Sequence, residues 1–171
     1  MPQGGFITIQ VTGLADRRRR LATWGTKIGT LAPAWAQVAE DLRGDFAAQF
    51  AAQGGYYGKT SKWAPLKPGT VKDRERLGYF GPAPILFRTG ELFSSLVDPE
   101  NAAHIEDITA TTLTIGTNYF TAPFHQLGTA RMVARPIVGL SWNRQSGIVK
   151  RLNDYVQLMA LNSGVEITGG D

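Results

Sequence analysis

The sequence predicts an α+β fold: a small antiparallel sheet packed against a long helix in the N-terminal half and a C-terminal helix, with a long basic loop. Three observations predict it. Trp35, Val38, Leu42, Phe46 and Phe50 recur at spacings of three and four residues, which makes one apolar stripe along a helix. Thr112, Leu113, Thr114 and Ile115 alternate polar with apolar, the pattern of a strand with one covered face. Between these elements, residues 55–84 lose all periodicity and collect glycines, prolines, lysines and scattered aromatics. A structureless stretch of that length in a small domain marks a functional or mobile loop.

Taken in order, Phe6, Ile7, Thr8, Ile9, Gln10 and Val11 place Ile7, Ile9 and Val11 on one face, an opening strand that ends near Gly13. A helical segment is expected over 16–28, capped by Asp16, with Gly29 and Thr30 interrupting it. Pro33 suits the first turn of the long helix, where its missing N–H has no intrahelical partner to lose. Gly54 and Gly55 stop that helix. Order returns at Ile85, Leu86 and Phe87, followed by a turn at Thr89 and Gly90. Residues 92–97, 103–109 and 112–116 read as three antiparallel strands. Asp98, Pro99, Glu100 and Asn101 turn between the first two, and Ala110 and Thr111 reverse the chain between the others. Residues 124–127 form a short turn or helix ending at Gly128. Residues 134–138 read as an extended edge segment, because Pro136 cannot donate to a central ladder. A last helix from about Asn143 shows Ile148, Leu152, Tyr155, Val156 and Met159 on one face, and residues 164–171 form a frayed tail. With no internal repeat and no linker, residues 1–171 read as a single domain.

Composition excludes several function classes. With 171 residues, 43% hydrophobic and 19% charged, the chain is long enough to bury roughly 70% of its unfolded surface and lacks the signature of disorder. No apolar run approaches the ~20 residues that span a bilayer, and no export signal is recognisable, so a soluble protein with no membrane partner is expected. The absence of cysteine removes disulfides, thiolate ligands and thiol nucleophiles. Two histidines with no carboxylates at ligand spacing give no metal pattern, and no cofactor is expected. There is neither a phosphate-cradling G-x-x-x-x-G-K-[ST] run nor a G-x-S-x-G elbow. The acids stand singly or as adjacent pairs such as Glu40 and Asp41, which point in different directions and make poor acid–base dyads. His125 beside Gln126 is the one arrangement that suggests general-base chemistry, and a packed, hydrogen-bonded histidine is the plainer account. The expectation is a protein that is not an enzyme.

Charge is unevenly placed. Residues 55–84 hold six bases, Lys59, Lys62, Lys67, Lys72, Arg74 and Arg76, against two acids, Asp73 and Glu75. The remainder has twelve of each sign, so the whole excess of +4 sits in this stretch. Such a concentration is expected to face a polyanion or an acidic partner, or to be a solvated loop with none. Arg17, Arg18, Arg19 and Arg20 invite a nucleic-acid reading as well. Successive helical residues are rotated by about 100°, so the four wrap most of the circumference and cannot form one stripe.

The order of five short motifs carries the reading further. Trp63, Ala64, Pro65, Leu66 and Lys67, followed by Thr70 and Lys72, resemble the W-x-P-L-x-x-x-T-x-x-K stretch of phage virion-morphogenesis proteins. Ile85 to Leu92, with Thr89 and Gly90 inside, are similar to their I-L-x-x-T-G-x-L element. Ile115, Gly116, Thr117, Asn118 and Tyr119, then His125, Gln126, Leu127 and Gly128, resemble I-G-(t/s)-x-x-Y-A-x-x-H-Q-x-G in two parts. Ala134, Arg135, Pro136, Ile137, Val138, Gly139, Leu140 and Ser141 are similar to P-A-R-P-F-L-G-(l/i)-S, and an amphipathic helix follows. The match runs from about Phe46 to Met159. Val133 stands where the family has proline and Ile137 where it has an aromatic, and Phe120, Thr121, Ala122 and Pro123 lengthen the gap before His125.

The resemblance implies a structural virion protein of long-tailed phages: a head-to-tail joining or tail-completion subunit, related to tail terminators, in the neck or tail and assembled in the host bacterial cytoplasm. Such subunits form homo-oligomeric rings, usually sixfold, between connector or head-closure proteins and tail-tube proteins. Double-stranded DNA passes through them without sequence-specific binding. Trp63, Pro65 and Leu66 would then pin the basic loop, Thr89 and Gly90 would form a turn, and Tyr119, His125, Gln126, Gly128, Arg135 and Pro136 would serve packing or subunit contact. The alternatives are a minor tail protein of the same fold, or a DNA-binding module using residues 55–84 and their aromatics.

Overall fold

The apolar stripe becomes the spine of the molecule. The computed structural model describes residues 6–10, 30–58, 62–79 and 84–162. Among them are five helices, α1 (Ala32–Ala51), α2 (Pro68–Arg76), α3 (Glu91–Val97), α4 (Ala122–Leu127) and α5 (Trp142–Asn162). Three strands, β1 (Phe6–Gln10), β2 (His104–Ile108) and β3 (Thr112–Thr117), complete the α+β fold. Trp35, Val38, Leu42, Phe46 and Phe50 are all buried, as the spacing requires. The helix ends where the chain turns left-handed at Gln53, with φ 53°, and Gly54, with φ 85°. A Cβ on Gly54 would lie 2.7 Å from the Trp63 backbone and ring, so only glycine fits there.

The sheet is antiparallel in the order β1–β3–β2. β3 is central because its alternation is the cleanest: Leu113 and Ile115 are fully buried toward α1. In the register, Ile7 lies opposite Ile115 and Ile9 opposite Leu113, and the Ile7 side chain packs half-buried against the core. The reversal at Ala110 and Thr111 is closed by Thr109 N–H donating to Thr112 O at 2.9 Å.

Three sequence expectations are corrected. Residues 92–97 are helix α3 and not a strand. Leu92 and Leu96 fit both periods; burial of Ser95 beside Leu96, with Ser94 only half-buried, shows the helical one. The Ser95 hydroxyl bonds back to Leu92 O at 2.9 Å and accepts from Thr117 Oγ1 at 2.8 Å, which lets a hydroxyl pair sit in the core. Next, the stretch expected to be structureless contains α2, nine residues with Pro68 in its first turn. Its inward positions are Val71 and Arg74, so no apolar stripe announces it. Last, residues 134–138 are extended but join no strand among the described residues, and Ile137 and Val138 are buried.

The C-terminal helix lies along α1 through Ile148, Leu152 and Tyr155. Ser141 Oγ accepts the Arg144 N–H at 3.1 Å, capping its first turn. Arg151 reaches Asp41 of α1 at 2.8 Å. No helix among the described residues is long and apolar enough to cross a membrane. The expected helix over 16–28 with its four arginines, Lys59 and the tail over 164–171 lie outside the described residues.

Candidate functional site

Trp63, Gln126, Arg135 and Pro136 meet in the extended segment 134–138, whose backbone from Pro136 to Val138 is satisfied by side chains in place of a strand. Pro136 O accepts from Trp63 Nε1 at 3.1 Å and from Gln49 Nε2 at 2.9 Å. Gln126 Oε1 accepts both the Ile137 and Val138 N–H groups, at 2.9 and 3.0 Å, while its Nε2 donates to Val138 O at 2.9 Å. Tyr57 hydroxyl donates to Ile137 O at 3.2 Å, and Arg135 N–H donates to His125 O at 2.7 Å. The Arg135 guanidinium turns back to bond Ala64 O at 3.0 Å and Pro65 O at 3.2 Å. From Pro136 to Val138 what reads as a free edge is therefore closed: the backbone groups a neighbouring strand would need there are already paired.

Glycine geometry tightens the clamp. Gly128 ends α4 with φ 75°, and a Cβ there would lie 2.8 Å from Ala134 N and 2.9 Å from Met132 O. Gly139 faces the Tyr57 ring, where a Cβ would approach within 2.6 Å. Gly90, with φ 87°, precedes α3, and Thr89 Oγ1 accepts the Glu91 N–H at 3.4 Å. Tyr119 is half-buried against the core and its N–H donates to Thr117 Oγ1 at 2.9 Å.

A cleft of about 430 Å³ opens beside the clamp, between α2, the turn before α3 and the loop following α4. Pro65, Leu66, Thr89, Gly90, Tyr119, His125 and Arg135 line it, whereas Trp63, Gln126, Gly128 and Pro136 do not. Leu86, which also lines it, is buried at φ 61°, a left-handed conformation that costs a bulky residue strain. Gln53 Oε1 holds this turn by accepting the Ile85 N–H at 2.6 Å.

His125 is half-buried in the cleft wall. Its Nδ1 is buried without a hydrogen-bond partner among the described residues. Burial and the Arg135 charge push its pKa below the ordinary value. The unfolded chain therefore binds the proton more readily, so stability is full above about pH 6.5 and falls as pH drops below it. Melting temperature should decline on acidification below that point, and less steeply in His125→Gln. Parallel declines in the two proteins would contradict this account.

The five basic candidates among the described residues do not form one face. Lys62, Lys67 and Lys72 are exposed, and exposed Arg76 pairs with Asp73 at 2.7 Å. Arg74 is a correction: it is only 6% exposed, donates to Pro84 O at 3.1 Å, and does not project into solvent. Burial, then the Arg88 charge, push its pKa down.

The sequence reading missed Asp45 and Gln49, four residues apart on the inner side of α1. Asp45 takes a two-pronged contact from Arg144, Nε to Oδ2 at 2.7 Å and Nη2 to Oδ1 at 2.8 Å, and the Tyr56 hydroxyl at 2.9 Å. The hydrogen bond to Asp45 is the largest of the effects that raise the pKa of both Arg144 and Tyr56. Two polar residues beside an apolar stripe at helical spacing were the available signal. Among the described residues no group of three or more histidines and carboxylates could hold a metal ion. Compared with family models, curated proteins and solved structures, the chain matches none.

Proposed function

We propose that this chain is a structural subunit of a long-tailed bacteriophage, a head-to-tail joining or tail-completion protein that closes with copies of itself into a sixfold ring around the DNA channel. The observation that carries this reading is convergence. Five short motifs stand in the family's order, and Trp63, Gln126, Arg135 and Pro136 interlock in one clamp although up to 73 positions separate them. Short matches arising by chance have no reason to meet at one node.

On this reading the connector or head-closure protein lies to one side and the tail tube to the other, in the neck or tail of the virion. The subunit performs no chemistry, and His125→Ala alters stability or assembly alone. A DNA-binding module is carried less far, because phosphate tracking needs cations along one accessible surface. Here Arg74 is buried and Arg76 is neutralised by Asp73. A minor tail protein of the same fold differs only in its place along the tail.

The decisive experiment is genetic. Phage lacking this gene should accumulate filled heads and separate tails, or tails of irregular length. Normal infectious particles, or a neck reconstruction with no ring of this chain, would overturn the proposal.

A further inference from the structure

The cleft is cationic, and the bonds that hold Arg135 to Ala64 O and Pro65 O and Arg74 to Pro84 O bring no negative charge to it. Lys67, Arg74, Arg88, Arg131 and Arg135 line it against one acid, Asp73, which already pairs with Arg76. No carboxylate among the described residues pairs with any of the four arginines. Arg74 is the telling member: its guanidinium is buried, its Nε has no hydrogen-bond partner among the described residues, and Arg88 adds a like charge nearby. A buried cation without a counter-ion is costly, so the site is incomplete as it stands. Its rim is apolar, with Phe120 72% and Val133 62% exposed.

The same chain presents a matching knob. Asp98, Pro99 and Glu100 are exposed between α3 and β2, and no cation among the described residues pairs with either acid. The knob is rigid: Glu100 N–H donates to Asp98 Oδ1 at 3.0 Å, Asn101 N–H to Asp98 O at 3.1 Å, and Asn101 Nδ2 to Ser94 Oγ at 3.1 Å. A preorganised turn loses little entropy on docking. Cleft and knob sit at opposite ends of α3, about 10 Å apart at the helical rise, and α3 is fixed between them. The knob therefore cannot fold back into its own cleft.

We propose that the acidic turn Asp98-Pro99-Glu100 of one copy docks in the cationic cleft of the next, a head-to-tail contact between copies of this chain. A contact between two different patches repeats around a ring, which a self-complementary one does not. The apolar rim favours carboxylates carried beside a proline over a bare phosphate. Duplex DNA presents its phosphates on a convex surface, which cannot reach a buried guanidinium. The inference rests on the ring-subunit reading and specifies its contact.

The chain has no cysteine, which makes directed cross-linking clean. Pro99→Cys and Val133→Cys proteins, mixed under mild oxidation, should give the mixed disulfide in clear excess over both homodimers. Adding Glu100→Lys with Asp98→Asn to the first, or Arg131→Glu to the second, should cut that yield several-fold. Pairing Glu100→Lys with Arg131→Glu across the two partners should restore it. A statistical yield of mixed and like pairs, or no sensitivity to these charges, overturns the contact. So does duplex DNA protecting Val133→Cys from a thiol reagent when a second copy does not. Failure here alongside a ring in the neck reconstruction removes this contact and leaves the ring-subunit reading standing; a specific cross-link with no ring in the particle does the reverse.

Discussion

Trp63→Ala should lower stability by about 4 kcal/mol, and the melting temperature by about 10 °C, the largest effect expected of any motif residue. Trp63 is buried, packs edge-on against Phe50 at 5.2 Å between ring centroids, and donates to Pro136 O. Removing the indole leaves a cavity where α1, the chain before α2 and the clamp meet. The surroundings cannot collapse easily into it, because Gly54 and Pro136 are held by their own bonds. Trp63→Phe separates the contributions in large part: it keeps a six-membered ring against Phe50 and loses the hydrogen bond with the small ring that carries it. Pro136 O retains Gln49 as donor, so that variant should cost about 1 kcal/mol for the bond itself. Thermal denaturation of both proteins checks the pair. Equal losses would mean that the hydrogen bond, and not the packed ring, is what Trp63 contributes.

The elements legible in the sequence were those whose burial is apolar and periodic. Trp35 to Phe50 announced α1, and Thr112 to Ile115 announced the central strand, because each repeats its period several times. The opening strand was legible too, its register now given by Ile7 against Ile115. Where the inward face is polar or short, the signal failed. α2 turns Val71 and Arg74 inward, and no hydropathy pattern marks an arginine as buried. α3 has seven residues, in which Leu92 and Leu96 satisfy both periods, and Ser95 decides between them only through its bond to Thr117. The segment 134–138 was read rightly as extended, since Pro136 forbids a central ladder. Its covering could not be read, because the partners are Gln49, Tyr57, Trp63 and Gln126, distant in sequence and polar. The motif residues were identified, but their division into clamp and cleft depends on tertiary contacts alone.

Arg144→Met should destabilise the protein by about 3 kcal/mol, more than Asp45→Asn does, although both break the same ion pair. The asymmetry follows from burial. Asp45 is only 2% exposed, and with Arg144 gone its charge keeps the Tyr56 hydroxyl but no cation. Arg144 is more open, and without the Asp45 charge it still reaches Asp41 at 3.2 Å and water. A stranded buried carboxylate costs more than a stranded accessible guanidinium. Removing both charges, as Asp45→Leu with Arg144→Met, takes away the stranded charge and adds apolar contact between α1 and α5. The double variant should therefore recover much of the loss, and a double-mutant cycle by chemical denaturation, with Asp45→Leu and Arg144→Met as its single variants, measures the coupling. Strict additivity would show that Asp45 and Arg144 act independently, and the pair could then no longer be what fastens the start of α5 to α1.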